Sequence, residues 1–511
     1  MAEPRKILIV SFEHLPGESS ASTRLTELIR ALGPAFTVDV LTAKIEGAAH
    51  VERYHGARLL RVPMTGRDLP ERVQTFERAV RRQVESDDYD LVQVTDPFGS
   101  YPVFQERARG GWRVVYDAHG LTNRRLAWTE PDAAAELRFA TRLERIERHG
   151  LLAADLVLTA TRTVAEEIRR LAVSPDRIRI APGPVDQALF GEYRPTPGRG
   201  LRIAYVGRCT PGGGGDVLLR ALRLLLDAGA EATLAIAGGA SPAGRRALEQ
   251  LTAGLGLSNA VEWVGPLPHE RVPEFLGEAH VCVAPFAPPP DAGDMDFGSL
   301  KLAEYLASGR PAVAADTALH RELAGDAALF FRPGDPNDLA EKIVALGRDP
   351  ALAEEIAQRG RARAVEQFDL ELYRRAVLGA YRDLLDPSIV VAPDAGAASE
   401  AETPTGRAST TSPNAKVATS PSARAGARTP TSIAARAVED GQGPTIAIPL
   451  PPEGTASPST RARARTPTPT GARVAESTPS PTIAVRLPID GAPTPPESMA
   501  DDADWFGPYL G

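Results

Sequence analysis

The chain has 511 residues, too many for one hydrophobic core, so two or more domains are required. Its net charge of −8 argues against a nucleic-acid partner. Two cysteines, Cys209 and Cys282, exclude a disulfide framework and an all-cysteine zinc site, and suit a reducing compartment.

The opening MAEPRKILIVSFEH holds a strand-length apolar run, Ile7–Val10, not a signal-peptide core. No later apolar stretch approaches membrane-spanning length, so the chain reads as cytoplasmic. Short apolar runs then alternate with amphipathic ones, the pattern of parallel sheets with crossover helices. Strands are predicted at 6–12, 36–42, 57–63, 90–96, 112–118, 155–160 and 177–182, with helices between them such as 22–32 and 136–153. PTPGRG (195–200) reads as a linker. The alternation restarts with strands at 201–207, 232–238, 260–265, 280–286 and 327–333, and helices continue to about residue 385. The fold class is therefore α/β, with two doubly wound domains, 1–194 and 201–386. Ligands in such sheets bind at the carboxyl ends of the strands, so the cleft between the domains is the expected site.

Composition changes after residue 386. The remainder holds 20 of the 46 prolines, and its three aromatics, Trp505, Phe506 and Tyr509, all fall in the last seven residues. Such a segment cannot bury enough apolar surface to offset its ordering entropy, so 387–511 is expected to be disordered. It repeats internally: 418–454 and 455–491 are tandem 37-residue copies. Its RTPT segments, around Thr429 and Thr466, suit phosphorylation, and the terminal DDADWFGPYLG suits docking on a protein partner. A plain flexible extension is the alternative.

The stretch DMDFGSLKLAEYLASGRPAVAAD (294–316) carries the chemistry. Ser299 can cap a helix starting near Leu300, and Gly298 lets another group approach the backbone. The free N–H groups at Ser299–Leu302 form an anion site. One turn on, Glu304 can accept hydrogen bonds from a vicinal diol such as a ribose. Alternatively, Glu304 is a solvated acid paired with Lys301 at i,i−3.

The stretch resembles the acid-x7-acid pattern of the retaining family 4 glycosyltransferases (glycosyl transferases group 1), which have the GT-B fold. Asp296, Phe297-Gly298, Glu304 and the run Ala307–Val313 occupy the pattern's positions. The resemblance implies that Asp296 lies near hydroxyls of a donor sugar, that Glu304 binds the ribose, and that the backbone at Ser299, Leu300 and Lys301 holds the diphosphate. AYVGRCTPGGGGDVLLRAL (204–222) resembles the family's phosphate-binding segment. Arg208 matches the arginine that neutralises the diphosphate, while the family lysine falls on Gly213. Lys301 could supply that charge from the opposite side. Four consecutive glycines, 212–215, offer a phosphate cradle or a simple turn. Gly239 matches a position where backbone approaches the nucleotide. VVYDAHG (114–120) resembles the strand ending in a cleft histidine, which would bring His119 to the donor sugar; the alternative is a structural histidine. The loop 12–24, with Gly17 and Ser22, would close over the phosphates or the acceptor, and the last helix would cross back to the first domain.

Three Asp-x-Asp triplets, at 88–90, 294–296 and 502–504, invite a metal reading. In the GT-B fold a helix dipole and an arginine do that work, so no metal and no cofactor is expected. The implied reaction is retaining transfer of a sugar from a nucleoside-diphosphate sugar to an unidentified acceptor. Two rivals stand beside it: a nucleotide-sugar epimerase on the same fold, and a non-catalytic scaffold whose tail recruits partners.

Overall fold

A computed structural model describes residues 5–17, 19–190, 200–209, 213–239, 241–286 and 299–385. Asp296, Gly298, the triplets at 294–296 and 502–504, most of the linker and the repeats of the tail lie outside these residues.

The described residues form two sheets. The first contains β1 (Lys6–His14), β2 (Thr37–Ala43), β3 (Val51–Tyr54), β4 (Ala57–Val62), β5 (Leu91–Val94), β6 (Arg113–Ala118), β7 (Leu156–Thr159) and β8 (Ile178–Ile180). Its order is β3-β4-β2-β1-β5-β6-β7-β8. All pairings are parallel except β3 with β4. The second contains β9 (Leu201–Val206), β10 (Ala232–Ala237), β11 (Val261–Gly265), β12 (Val281–Ala284), β13 (Ala312–Ala315) and β14 (Leu329–Phe331), in the order β11-β10-β9-β12-β13-β14, all parallel.

The central strands are apolar on both faces because helices cover both faces. Along β1, Ile7 and Ile9 face a cluster with Leu25, Leu28 and Leu32, while Leu8 and Val10 face one with Phe76 and Val80. In β9, Ile203 and Tyr205 point to one side and Ala204 to the other. The strand order reverses beside β1 and beside β9. At such switch points parallel sheets carry their ligand crevices, beyond the carboxyl ends of the strands.

The edge strand β3 has no counterpart among the predicted strands. Its sequence, Val-Glu-Arg-Tyr, has no apolar run, and it pairs on one side only. β13 is the short apolar run that closes the 294–316 stretch, and the strands with predicted ranges fall within about three residues of them, the usual uncertainty of such boundaries.

The chain crosses between its halves twice. Val185 and Phe190 pack into the second domain's core with Leu300, Ala364 and Phe368. The helix Leu370–Leu385 returns to the first sheet, where Leu370, Tyr373, Val377 and Tyr381 join the cluster of Ile7 and Ile9. Spacings of three and four place these residues on one helical stripe. Val185 and Asp369 form a parallel bridge where the crossings meet.

The triplet at 88–90 is structural. The Tyr89 hydroxyl donates to Asp39, and Asp90 accepts the Lys6 N–H at the amino end of β1, away from the crevice. Cys209 and Cys282 are both free and buried.

Candidate functional site

In the second domain the site is built from the segments that follow the strands. Gly207 and Gly238 end β9 and β10 with φ of +142° and +130°. A Cβ on Gly238 would stand 2.1 Å from the Gly207 carbonyl oxygen. A Cβ on Gly207 would stand 2.4 Å from both Cε and Nζ of Lys301. The backbone approach at Gly238 and the positive φ at both positions call for glycine. The result is a bare backbone floor with the Lys301 ammonium drawn across it. Arg208 follows at once, its side chain exposed and its carbonyl accepting the Tyr205 hydroxyl at 2.9 Å.

The helix Ser299–Ala307 supplies Lys301, Glu304 and Tyr305. β12 pairs with β9 only as far as Ala204. Beyond that the Tyr305 hydroxyl replaces the ladder, accepting the Val206 N–H at 2.8 Å and donating to the Val206 carbonyl at 3.2 Å. One hydroxyl thus fixes the residue just before the glycine floor. Leu300 packs its side chain into the core, where a Cβ on Gly183 would lie 3.6 Å from its Cδ1.

Glu304 is only 4% exposed. Its Oε1 lies 2.6 Å from Nε2 of His269, in the turn that follows β11. The acid is therefore a buried, partnered group, not the solvated i,i−3 partner of Lys301 that spacing also allowed. Burial alone would lower the His269 pKa. The hydrogen bond and charge of Glu304, with Glu270 and Glu27 nearby, outweigh it and raise the pKa above its ordinary value.

In the first domain the site lies at the end of β6. Asp117, 1% exposed, accepts two hydrogen bonds from Arg24, at 3.0 and 3.3 Å. Its Oδ2 also lies 3.1 Å from His119 Nε2. Burial alone would raise the Asp117 pKa; Arg24 and His119 outweigh it and hold the carboxyl well below the usual range. Arg24 also donates to the Ala181 carbonyl at 3.0 Å and lies over the Tyr373 ring. The Tyr381 hydroxyl donates to Gln93, which in turn donates to Asp117. The returning helix thus braces the acid that orients His119.

The loop after β1 is shorter than the sequence suggested, because β1 runs to His14 and a helix begins at Ser20. Ser22 lies in that helix's first turn, 1% exposed. A Cβ on Gly17 would stand 2.9 Å from its Oγ. Gly17 and Ser22 therefore pack on each other.

The two halves meet through segments that follow strand carboxyl ends. Glu322, in the helix Ala318–Ala324 after β13, accepts the Arg162 and Thr163 N–H groups at 2.6 and 2.7 Å, and the Thr163 hydroxyl at 2.7 Å. It caps the helix Arg162–Arg170 that follows β7.

Leu300, Lys301 and Glu304 thus share the helix that Ser299 heads, Lys301 reaches across Gly207, and Arg208 directly follows that glycine. Gly239 follows the floor, with open space where its Cβ would be. Gly213 precedes Gly214, which packs on Pro285 and caps the helix Gly215–Asp227. His119 belongs to the first domain's network. Sequence reasoning missed His269, Tyr305, Arg24 and Asp117. A signal existed for two of them. Asp117 stands two residues before His119 and so on the same side of the strand end, and Arg24 falls on the apolar stripe of its helix. None existed for His269 and Tyr305, whose partners are distant in sequence.

Two family models match the chain: Glycosyltransferase Family 4 over residues 21–189, and Glycosyl transferases group 1 over residues 200–349. A D-inositol 3-phosphate glycosyltransferase of Acidothermus cellulolyticus is 34% identical over 257 residues, 46% of this chain. The chain spans about half of that relative, 54% of its length. Among solved structures, sucrose-phosphate synthase from Thermosynechococcus elongatus superposes with a TM-score of 0.65 at 24% identity, covering 74% of this chain and 99% of that one. Anabaena HepE, solved with UDP-glucose, gives 0.59 at 17% identity, covering 74% and 99%. These likenesses show the fold, GT-B. The chain thus carries a Glycosyltransferase Family 4 domain ahead of a Glycosyl transferases group 1 domain, on a GT-B fold.

Proposed function

We propose that the chain is a cytoplasmic, retaining glycosyltransferase that moves a sugar from a nucleoside-diphosphate sugar to a glycan, lipid or small-molecule acceptor, without a metal. The observation that carries this reading is Glu304, buried on the same helix whose Lys301 is drawn across a glycine floor. A nucleotide lying on the floor would place its ribose on Glu304. Its diphosphate would lie against the start of the helix Ser299–Ala307, with Lys301 and Arg208 as counter-charges. Lys301 then supplies the charge that Gly213 lacks.

The anomeric C–O bond breaks as negative charge develops on the leaving diphosphate, where fixed positive groups stabilise it. The leaving phosphate takes the acceptor's proton on the same face, so the configuration is retained and no protein nucleophile acts. Asp296 and His119 would contact the donor sugar, His119 held in place by Asp117. Closure of the halves excludes water that would otherwise hydrolyse the donor.

A thermal-shift screen with UDP-, GDP- and ADP-sugars tests the reading. One base class should raise the melting temperature, with and without a chelator. Turnover of that donor should give a product of the donor's anomeric configuration by NMR. No shift with any nucleotide sugar would leave the scaffold reading in its place.

A further inference from the structure

The glycine floor has an acid on one side and a histidine on the other. Glu304 comes from the helix after β12, and His269 from the turn after β11. In the sheet those strands are separated by β10 and β9, the two that end in Gly238 and Gly207. The Nε2–Oε1 contact of 2.6 Å therefore joins two segments that leave the sheet on either side of those strands. Such a short contact between an imidazole N–H and a carboxylate is a charge-assisted hydrogen bond, which fixes direction as well as distance. His269 keeps 28% of its side chain exposed while Glu304 keeps 6%. The histidine is thus the wet member of the pair, and its removal need not disturb the core.

We propose that His269 is a positioning residue for nucleotide recognition: it holds Oε1 of Glu304 so that Oε2 is presented to a ribose hydroxyl of the bound nucleoside diphosphate. This rests on the reading of the crevice as a nucleotide-sugar site. A carboxylate on a helix can rotate about its side-chain torsions, and freezing it before the ligand arrives removes an ordering cost from binding. The pair also confers selectivity. A carboxylate oxygen aimed at a hydroxyl is left unpaired when the ligand lacks that hydroxyl, so ribose is favoured over deoxyribose. A merely structural histidine would support all nucleotides alike.

The test is calorimetric titration of the full chain with UDP, GDP and ADP, each beside its 2′-deoxy and 3′-deoxy forms. The wild type should bind one ribonucleoside diphosphate best and at least one deoxy form more weakly. His269→Ala should weaken the ribonucleotide roughly tenfold, about one charge-assisted hydrogen bond, and leave that deoxy form unchanged. His269→Gln, which keeps a donor near the Nε2 position, should recover most of the loss. His269→Asn, too short to reach, should behave as alanine and serves if the alanine variant does not fold. In a Glu304→Ala background His269→Ala should add nothing. Equal weakening of ribo and deoxy forms, or His269→Ala binding like wild type while Glu304→Ala does not, would overturn this inference alone. A wild type that binds none of the three would overturn the nucleotide reading and this inference with it.

Discussion

Asp117 shows at a single residue how the first domain holds charge. A carboxylate 1% exposed survives because Arg24, His119 and Gln93 all point at it. Arg24→Leu removes the bidentate partner and leaves a buried charge uncompensated. The expected loss is about 3–5 kcal/mol in denaturant unfolding, and Arg24→Leu with Asp117→Leu should recover part of it. At the second acid the sign of the pH dependence is fixed by His269. Its folded pKa is raised above the unfolded value of 6.5, so the pair's stabilisation is complete below that pH and is lost as pH rises through the folded value. Thermal unfolding from pH 6 to 9 should show this loss in wild type and not in Glu304→Gln. Identical profiles would remove the pair from the account. Glu304 was legible because an acid among apolar neighbours at the start of a helix is costly without a task. His269 was not, since its partner lies 35 residues away and only the sheet order brings them together.

At the scale of elements, the end of β9 depends on a hydroxyl from a neighbouring helix. Tyr305→Phe leaves the part-buried Val206 N–H without its acceptor, which should cost about 1 kcal/mol and loosen the glycine floor. Urea unfolding with donor titration checks both effects, and a variant as stable and as tight as wild type would contradict them. Helix and strand periodicity fixed nearly every element of both sheets. The polar edge strand β3 escaped because a strand paired on one side needs no apolar run. The cap that Glu322 places on the helix Arg162–Arg170 escaped for another reason: it joins two helices that are 159 and 160 residues apart in its hydrogen bonds. Glu322→Ala should let the halves separate. Small-angle scattering should then give a larger radius of gyration with little change in melting temperature, and an unchanged radius would contradict the role.

For the molecule as a whole, alternation of apolar and amphipathic runs foretold two parallel sheets, and strand order then placed the crevices. The two crossings were not visible in the chain's own pattern. Val185 and Phe190 read as ordinary apolar residues near a linker, and only packing shows them in the other domain's core. The returning helix carries Tyr373 and Tyr381 to the network that orients His119. The two halves are thus joined by the Val185–Asp369 bridge and the returning helix as well as by the linker. The proposed transfer requires that an activated sugar be held at the carboxyl ends of the second sheet, with Glu304 on its ribose. The most direct measurement is calorimetric titration of the full chain with the nucleotide sugar that raises its melting temperature, repeated on Glu304→Ala. Wild type should bind saturably, and the variant at least about tenfold more weakly. Equal affinity in the two proteins would contradict it.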